Sequence, residues 1–584
     1  MTVDSTSHPT FQLDSDPWIP ALYADGSLRD VSLRELFIDA HRIRDISPDM
    51  AQQKLPLLRL ALAILYHLYA YPAGSEPDEV TREMTENWLA IWNEGCFSPD
   101  DINGYFDDFS NRFDLFDSER PFFQTPGLQY TEAAGRPYDP ISEAIADIPK
   151  PKKYLMAMRA RNTLGDISFA EAARWLVFMQ SYDCAGIKTP VQGNTRVQKG
   201  KVYAPKDAVG TGWMGAIGGV FLKGETLFDT LMLNWVIFDL DGKVPSYFMR
   251  DENLPAWDCS SRGTATDIWE AEVHGAEPGP AALYTWQSRR VRLVPNEEGT
   301  AVAGIVSCYG DIPPRPIDYQ SLEPMTAWRV APAQKKKLGL SYDPLMPARH
   351  IAGRSLWRGF AALLTLDESG ADRRPGVVRW LNYLNREYGG RGEKLDRPFP
   401  PLSICAQGIT YGTQSSVIEE SIADSFDVAV SLCNPKLGAV SEVESVIAQT
   451  ENCVRSLVGF VRSVDEIAGN RHGDAGSDNV REQAYSELDG LFRWRIAHMP
   501  QDEFAGYVDD WRDQTHMRML DLGKRYLADS GAAQFTQRTS GQGPQNVSNA
   551  MRIYQAKLNE YLGGLFIGKH AGGTRETEGT EEGR

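Results

Sequence analysis

Glycines and lysines are interleaved through residues 188–236 in a pattern that suits close contact with a phosphate-bearing partner. The glycines are Gly193, Gly200, Gly210, Gly212, Gly215, Gly218, Gly219 and Gly224. The basic residues among them are Lys188, Arg196, Lys199, Lys201, Lys206 and Lys223. Glycine has no side chain to keep the backbone away from another molecule, and lysine attracts phosphate. Trp213, Met214 and Ile217 lie among the glycines and favour an anchored loop over a floppy surface connection.

A second chemistry is open to the same loop. Gly210, Gly212 and Gly215 spell G-x-G-x-x-G, the phosphate-binding pattern of dinucleotide folds, and Asp229 follows where a ribose-binding acid is expected. The residues before the first glycine contain a proline and two charges rather than an apolar strand, and two glycines interrupt the helix that should follow. A nucleotide-binding metabolic enzyme that uses Gly210–Gly215 is the alternative function, although this context disfavours it.

The remaining reactive residues form no recognisable catalytic group. The sequence has no H-E-x-x-H, G-x-S-x-G or P-loop pattern, and its nine histidines are isolated. The seven cysteines are scattered without a C-x-x-C pair, which argues against a disulfide framework and a zinc site. We therefore expect no enzyme activity, no cofactor and no metal.

Charge and hydropathy set limits on partners and location. The chain has 584 residues and a formal net charge of −19, so nucleic-acid binding would need local basic patches or a larger assembly that supplies positive charge. No window approaches the roughly 20 apolar residues that span a bilayer, and the N-terminus has no signal-peptide pattern. We expect a cytoplasmic protein without a membrane partner.

The elements that must position the loop predict an α+β fold. Short runs around an Asp25-Gly26-Ser27 turn predict an N-terminal hairpin, and Ser32-Leu33-Arg34-Glu35 is a capping box. An apolar helix is predicted over Leu55–Tyr71, another over Ser168–Tyr182, and short strands between Ala282 and Trp357, where Arg290 and Arg292 would form a basic face.

The C-terminal part of the sequence is predicted to be helical from about Ser425. Apolar residues recur there at spacings of three and four, and four amphipathic segments with short connections predict an antiparallel four-helix bundle. Arginines on these helices could form a basic stripe, although exposed helix faces normally carry such charges. The predicted domains are a mixed α/β domain over 1–424, the bundle over 425–567 and a disordered tail over 568–584.

Several motifs together resemble a known family. The opening L-x-x-x-P-W-I-P, the following D-G-S and V-S-L-R-E-L-F, the glycine-rich core, the Tyr411-Gly412-Thr413-Gln414 segment and the helical C-terminus are similar to CasA, the large subunit of the type I-E CRISPR surveillance complex Cascade. The resemblance spans nearly the whole chain. No single motif would suffice, but the ensemble is specific.

The resemblance implies four groups of site residues. A loop that reads the protospacer-adjacent motif through the DNA minor groove would comprise Val209, Gly210, Thr211 and Gly212. A wedge at a hairpin tip would comprise Gly412, Thr413 and Gln414. A basic loop toward the guide RNA would comprise Lys150, Lys152, Lys153, Arg159, Arg161 and Asn162, whose alternative is a solvated basic face. Arg315 is the candidate for a cationic finger, with Lys335 to Lys337 as the alternative.

The resemblance also implies a mechanism and partners. The chain would recognise the motif in double-stranded DNA and wedge the duplex open so that guide RNA pairs with the target strand. Its partners would be the small and backbone Cascade subunits, the 5′ end of the guide CRISPR RNA, the target duplex and a helicase-nuclease. A purely structural scaffold is a third interpretation, in which Gln414 and Gly212 would not affect motif discrimination.

Overall fold

A computed structural model describes most of the chain and divides it into two compact units, residues 1–434 and 435–584. The described residues are 9–72, 74–148, 164–204, 208–238, 253–260, 262–265, 279–313, 315–364, 373–388, 395–429, 432, 438–469, 474–500, 504–540 and 543–563. No helix in these ranges is long and apolar enough to cross a membrane.

The first unit combines short strands with helices of mixed length. Its strands are β1 (Ile19–Tyr23), β2 (Leu28–Val31), β3 (Ile43–Ile46), β4 (Asp139–Pro140), β5 (Val197–Gln198), β6 (Lys201–Val202), β7 (Gly219–Lys223), β8 (Arg289–Pro295), β9 (Val302–Tyr309), β10 (Trp328–Val330), β11 (Leu345–Pro347), β12 (Leu402–Tyr411) and β13 (Ile418–Val428). Its helices are α1 (Leu33–Ile38), α2 (Lys54–Leu68), α3 (Pro77–Glu94), α4 (Pro99–Asp108), α5 (Phe169–Tyr182), α6 (Leu227–Asn234), α7 (Pro280–Tyr284), α8 (Pro332–Leu338), α9 (Phe360–Leu364) and α10 (Gly376–Tyr388). The predicted α+β class is confirmed.

The strands of this unit form small antiparallel sheets. Three-stranded sheets have the orders β2-β1-β3, β13-β12-β7 and β4-β9-β8. The pairs β5-β6 and β10-β11 form separate two-stranded sheets. The predicted N-terminal hairpin is β1 and β2, with Gly26 at a φ of 85° in its turn. The predicted capping box is present, because Ser32 Oγ accepts from Glu35 N at 3.2 Å and Glu35 Oε2 accepts from Ser32 N at 2.9 Å.

Helix α2 lies in the core of the first unit. It is apolar around most of its circumference, and such a helix is stable only when it is buried. Gln407 of β12 fixes its start: Leu55 N donates to Gln407 Oε1 at 3.0 Å, and Gln407 Nε2 donates to Ala51 O at 2.8 Å. This buried amide therefore ties α2 to the sheet that carries the hairpin tip.

The second unit is helical. Its described elements are α11 (Ala439–Ala468), α12 (Asp474–Ala497), α13 (Phe504–Ala528), α14 (Val547–Leu562) and the paired strands β14 (Arg538–Ser540) and β15 (Gly543–Gln545). Helix α11 packs against each of the other three helices. Apolar side chains on facing stripes, such as Val454, Leu457 and Val461, are buried between them.

The predicted start of the helical part at Ser425 is wrong. Ser425 pairs with Cys405 inside the β12-β13 ladder, and β13 continues to Val428. Phe426 and Val428 are buried while Asp427 is exposed, which is the two-residue period of a strand. The first described helix of the second unit, α11, begins at Ala439, later than the sequence indicated.

Candidate nucleic-acid interface

A cleft of about 430 Å³ in the first unit gathers residues from several of the predicted site segments. Its lining residues are Ala185, Ala208, Val209, Gly210, Thr211, Ala216, Arg315, Pro316, Ile317, Arg329, Gln334, Lys337, Met346, Pro347, Arg349 and Ser415. The loop that carries Gly210 and Gly215, here called the glycine loop, therefore meets the segments of Arg315 and Lys337 at this cleft. The tip of the β12-β13 hairpin, here called the hairpin tip, borders the same cleft through Ser415. These segments lie far apart in sequence, and only the tertiary fold brings them together.

The glycine loop is anchored on one side in the core, as its interleaved apolar residues predict. Trp213, Met214 and Ile217 are buried. Trp213 Nε1 donates to Glu323 Oε2 at 2.6 Å, and Arg59 binds both carboxylate oxygens of Glu323 at 2.8 Å each. Because Arg59 and Glu323 are fully buried, this bidentate pair fixes the loop to helix α2. The hydrogen bond from Trp213 to this buried ion pair thus fixes the side of the loop that faces away from the cleft.

Gly212 is a packing residue rather than a cleft residue. A Cβ atom at this position would lie 2.2 Å from the carbonyl carbon and oxygen of Ser181 on helix α5. Gly212 N also donates to Asp183 O at 3.2 Å. Of the four residues predicted to read DNA, Val209, Gly210 and Thr211 line the cleft and Gly212 faces the protein.

The contacts of Asp229 do not support the dinucleotide alternative. Asp229 is fully buried, and its Oδ2 accepts from Thr226 N at 2.9 Å, which caps helix α6. Its Oδ1 pairs with Arg397 Nη2 at 2.5 Å. The carboxylate thus has structural partners, and the segment after Gly215 enters strand β7 instead of a helix.

The cationic side of the cleft includes the predicted Arg315 and two arginines that the sequence did not single out. Arg315 and Arg329 are exposed, and no carboxylate pairs with either of them in the described part of the chain. Arg349 Nε donates to Ala216 O at 3.3 Å. Desolvation lowers the pKa of the Arg349 guanidinium, and the nearby charge of Arg329 lowers it further. Like charges held this close favour a polyanionic ligand between them.

The lysine alternative to Arg315 also reaches this cleft. Lys337, at the end of α8, lines it, whereas Lys335 pairs with Asp343 at 3.5 Å. Alternation along β10 could have revealed Arg329, because it is exposed beside the buried Trp328. Arg349 follows β11 with no comparable local signal.

The Tyr411-Gly412-Thr413-Gln414 segment forms the tip of the β12-β13 hairpin, as predicted. Gln414 is exposed and has a φ of 57°, and Ser415 follows with a φ of 51°. Left-handed backbone at two successive residues other than glycine is uncommon. Ser415 lines the cleft, and Gln414 is its neighbour in the chain. Gly408 pairs with Ile422 within the ladder, so both strands of the hairpin extend well behind this tip.

The basic face predicted for strand β8 is wrong. Arg290 is buried, and its Nη2 donates to Asp311 Oδ1 at 2.6 Å. Arg292 is half-buried and donates to Leu128 O at 2.6 Å, and burial lowers its pKa. Both side chains therefore make hydrogen bonds within the first unit and do not form an exposed basic face.

The sequence also predicts a basic loop and an arginine stripe on the helical unit. The basic loop falls outside the described residues: Lys150, Lys152, Lys153, Arg159, Arg161 and Asn162. On the helical unit, Arg495 is buried against Asp510, Arg512 pairs with Glu442 at 3.2 Å, and Arg525 pairs with Glu487 at 2.5 Å. Acidic partners thus neutralise much of the predicted arginine stripe.

Comparisons with known proteins place the chain in a family. The family model described as CRISPR-associated protein Cse1 matches residues 13–522. A CRISPR-associated protein CasA/Cse1 from Thermus thermophilus is 28% identical over 355 residues, 61% of this chain and 60% of the relative. The matched stretch therefore spans less than two thirds of that curated relative.

Solved structures share the fold over almost the whole chain. The crystal structure of Thermobifida fusca Cse1 has a TM-score of 0.81 and 31% identity, covering 96% of this chain and 99% of that one. A chain of a CRISPR RNA-guided surveillance complex has a TM-score of 0.68 and 17% identity, covering 94% of this chain and 99% of that one. The protein described here belongs to the CRISPR-associated Cse1 (CasA) family.

Proposed function

We propose that this chain is the large subunit of a type I-E CRISPR RNA-guided surveillance complex and reads the protospacer-adjacent motif in double-stranded DNA. Membership of the Cse1 family supports the role, as does the shared fold with a chain of such a complex. The observation that carries the proposal is the single cleft that gathers Gly210, Arg315, Arg329 and Ser415. Backbone, cations and hairpin tip meet there with the chemistry that a DNA duplex requires.

The glycine loop and the arginines of the cleft would together recognise the protospacer-adjacent motif. Gly210 presents backbone without a side chain to the cleft, where a minor-groove edge can approach closely. Arg315, Arg329 and Arg349 would hold the phosphates or enter the groove. The minor groove mainly distinguishes A·T from G·C, so this reader should accept several related motifs.

The hairpin tip would open the duplex beside the motif. Gln414 projects from a turn whose backbone is held by Ala185 N, which donates to Ser415 O at 2.8 Å. Unstacking one base step costs about a few kcal/mol, which phosphate contacts elsewhere must offset. Once the strands part, guide RNA can pair with the target strand and supply sequence specificity.

The remaining roles follow the same proposal. The chain would contact the small and backbone subunits and the 5′ end of the guide RNA in the cytoplasm, and would recruit a helicase-nuclease that performs the cleavage. The helical unit would act as an antiparallel four-helix bundle against the DNA. Because the chain has a net charge of −19, the assembled complex must supply much of the positive charge that DNA binding needs.

Titration of the guide-loaded complex on target duplexes tests the proposal. Duplexes with a permissive and a non-permissive flanking motif are compared for the wild type, Arg315→Gln and Gln414→Ala. We expect the wild type to bind the permissive duplex more tightly, and both variants to lose about tenfold or more of that affinity.

Arg82→Gln is the matched control for charge. Arg82 lies on α3 outside the cleft, and its side chain is 60% exposed, so the substitution removes the same charge from an unrelated surface. Its affinities should match those of the wild type. If Arg315→Gln and Gln414→Ala also bind and discriminate like the wild type, the cleft is not the reading site.

A further inference from the structure

The C-terminal end of helix α5 contacts both sides of the cleft. On the loop side, Asp183 O accepts from Gly212 N at 3.2 Å. On the hairpin side, Tyr182 O accepts from Tyr411 Oη at 2.6 Å, and Ala185 N donates to Ser415 O at 2.8 Å. Residues 182–185, here called the α5 junction, therefore join the glycine loop to the hairpin tip through backbone atoms.

A buried arginine stands at the centre of this junction. Arg289, at the start of β8, has a side chain that is 1% exposed. Its Nη2 donates to Gly210 O at 3.0 Å, Asp183 O at 3.0 Å and Cys184 O at 2.9 Å. Its Nε donates to Asp183 Oδ2 at 2.5 Å. One guanidinium thus binds the cleft-lining Gly210 and the α5 junction at the same time.

The carboxylate of Asp183 lies between this arginine and a lysine. Asp183 Oδ2 pairs with Arg289 and also with Lys188 Nζ at 2.5 Å. Burial alone would raise the pKa of Asp183, but the charges and hydrogen bonds of Lys188 and Arg289 hold it well below the usual range. The pair is therefore ionised at neutral pH. A buried ion pair of this kind is more useful for fixing geometry than for stability, since desolvation offsets much of the attraction.

We propose that Arg289 and Asp183 are positioning residues that couple motif reading at Gly210 to strand opening at the hairpin tip. This inference rests on the proposed function of the cleft. Neither residue lines the cleft, so neither would touch DNA directly. A change in the α5 junction displaces the loop and the tip together, because each is hydrogen-bonded to a residue of this four-residue segment.

Arg289→Lys tests the coupling in the guide-loaded complex. Lysine keeps the positive charge beside Asp183 but lacks the planar fork that reaches Gly210 O through Nη2 and Asp183 Oδ2 through Nε at the same time. Two quantities are measured: the ratio of affinities for permissive and non-permissive duplexes, and the fluorescence of 2-aminopurine placed at the first base pair beside the motif, at saturating complex. We expect the ratio to fall about tenfold and the fluorescence increase to be largely lost.

The next residue provides the matched control. Arg290 is also buried on β8 and also pairs with an aspartate, but it donates to Asp311, Gly263 O and Ala265 O instead of the junction. Arg290→Lys should lower the melting temperature comparably while leaving the affinity ratio and the fluorescence unchanged. If Arg289→Lys behaves like Arg290→Lys in both readouts, the positioning role is refuted.

Tyr411→Phe tests the same coupling from the hairpin side. It removes only the oxygen that donates to Tyr182 O, and it keeps the ring. Coupling predicts that the affinity ratio falls together with the fluorescence, although Tyr411 is not in the loop. A loss of fluorescence with an unchanged ratio would contradict the coupling, even if Arg289→Lys failed to fold. A wild-type complex that does not discriminate motifs would instead refute the proposed function of the cleft.

Discussion

The glycine loop and the hairpin tip border the same cleft but hold their backbones in different ways. In the loop, Gly212 is buried against Ser181 with no room for a side chain. At the tip, Gln414 is exposed and holds a positive φ of 57° although it is not glycine. The loop uses glycine where packing demands it, whereas the tip uses a longer side chain where glycine would be the easier residue.

Glycine can be required at a binding site for two reasons: close packing against the rest of the protein, or close approach of the backbone to a ligand. Gly212, Gly215 and Gly218 each face protein atoms closer than 3 Å to an added Cβ, so the density of glycine in this stretch reflects close packing behind the cleft. The cleft face itself requires only a short part of the loop around Gly210. Substitutions in the loop should therefore act first on folding, and substitutions at the tip first on DNA opening.

The largest effect on stability is expected for Glu323→Gln, which breaks the anchor of the loop. Arg59 would keep a buried charge without a carboxylate partner, and such a loss costs about 3–5 kcal/mol of unfolding free energy. Chemical denaturation of the isolated chain measures this change. The exposed pair of Arg82 and Glu86 provides the control, because Glu86→Gln should cost less than about 1 kcal/mol. Equal losses for the two variants would show that Glu323 does not anchor the loop.

Gly212→Ala should destabilise the protein by about 1–3 kcal/mol or more, because its Cβ would overlap the backbone of α5. Thermal melting compares it with Gly104→Ala on the exposed face of α4. No atom lies within 4 Å of an added Cβ at Gly104, so alanine should stabilise that helix by about 0.5–1 kcal/mol. A stable Gly212→Ala protein would mean that the loop does not pack as described.

Arg329→Gln should leave folding intact and weaken DNA binding in a salt-dependent manner. Each lost phosphate contact lowers the slope of log affinity against log salt by about 0.9. Titrations at several salt concentrations give this slope for the guide-loaded complex, with Arg82→Gln as the charge-matched control. An unchanged slope would show that Arg329 does not contact a DNA phosphate.

Gln414→Gly should have the smallest effect on stability, within about 1 kcal/mol of the wild type. Relief of the left-handed backbone offsets the greater chain entropy of glycine in the unfolded state. The same variant should abolish the 2-aminopurine signal for strand opening, because the wedge is gone. A marked loss of melting temperature, or normal opening, would contradict the contrast between tip and loop.

Local sequence patterns predicted much of the secondary structure. The capping box at Ser32, the apolar helix α2, the helix α5 and the long C-terminal helices each follow from short-range periodicity or capping. The patterns failed where a local rule competed with tertiary packing. Alternation marked Arg290 as part of a strand, but it could not show that this arginine is buried against Asp311.

The sequence by itself determined the class of the chain, its Cse1-like motifs and the hairpin that presents Gln414, because these depend on neighbouring residues. Only the tertiary structure decided that Gly210, Arg315, Arg329 and Ser415 share one cleft. The same holds for Arg289, whose partners in the glycine loop and the α5 junction lie about 80 to 110 residues away along the chain. Long-range packing brings such groups together, and no spacing along the chain encodes it.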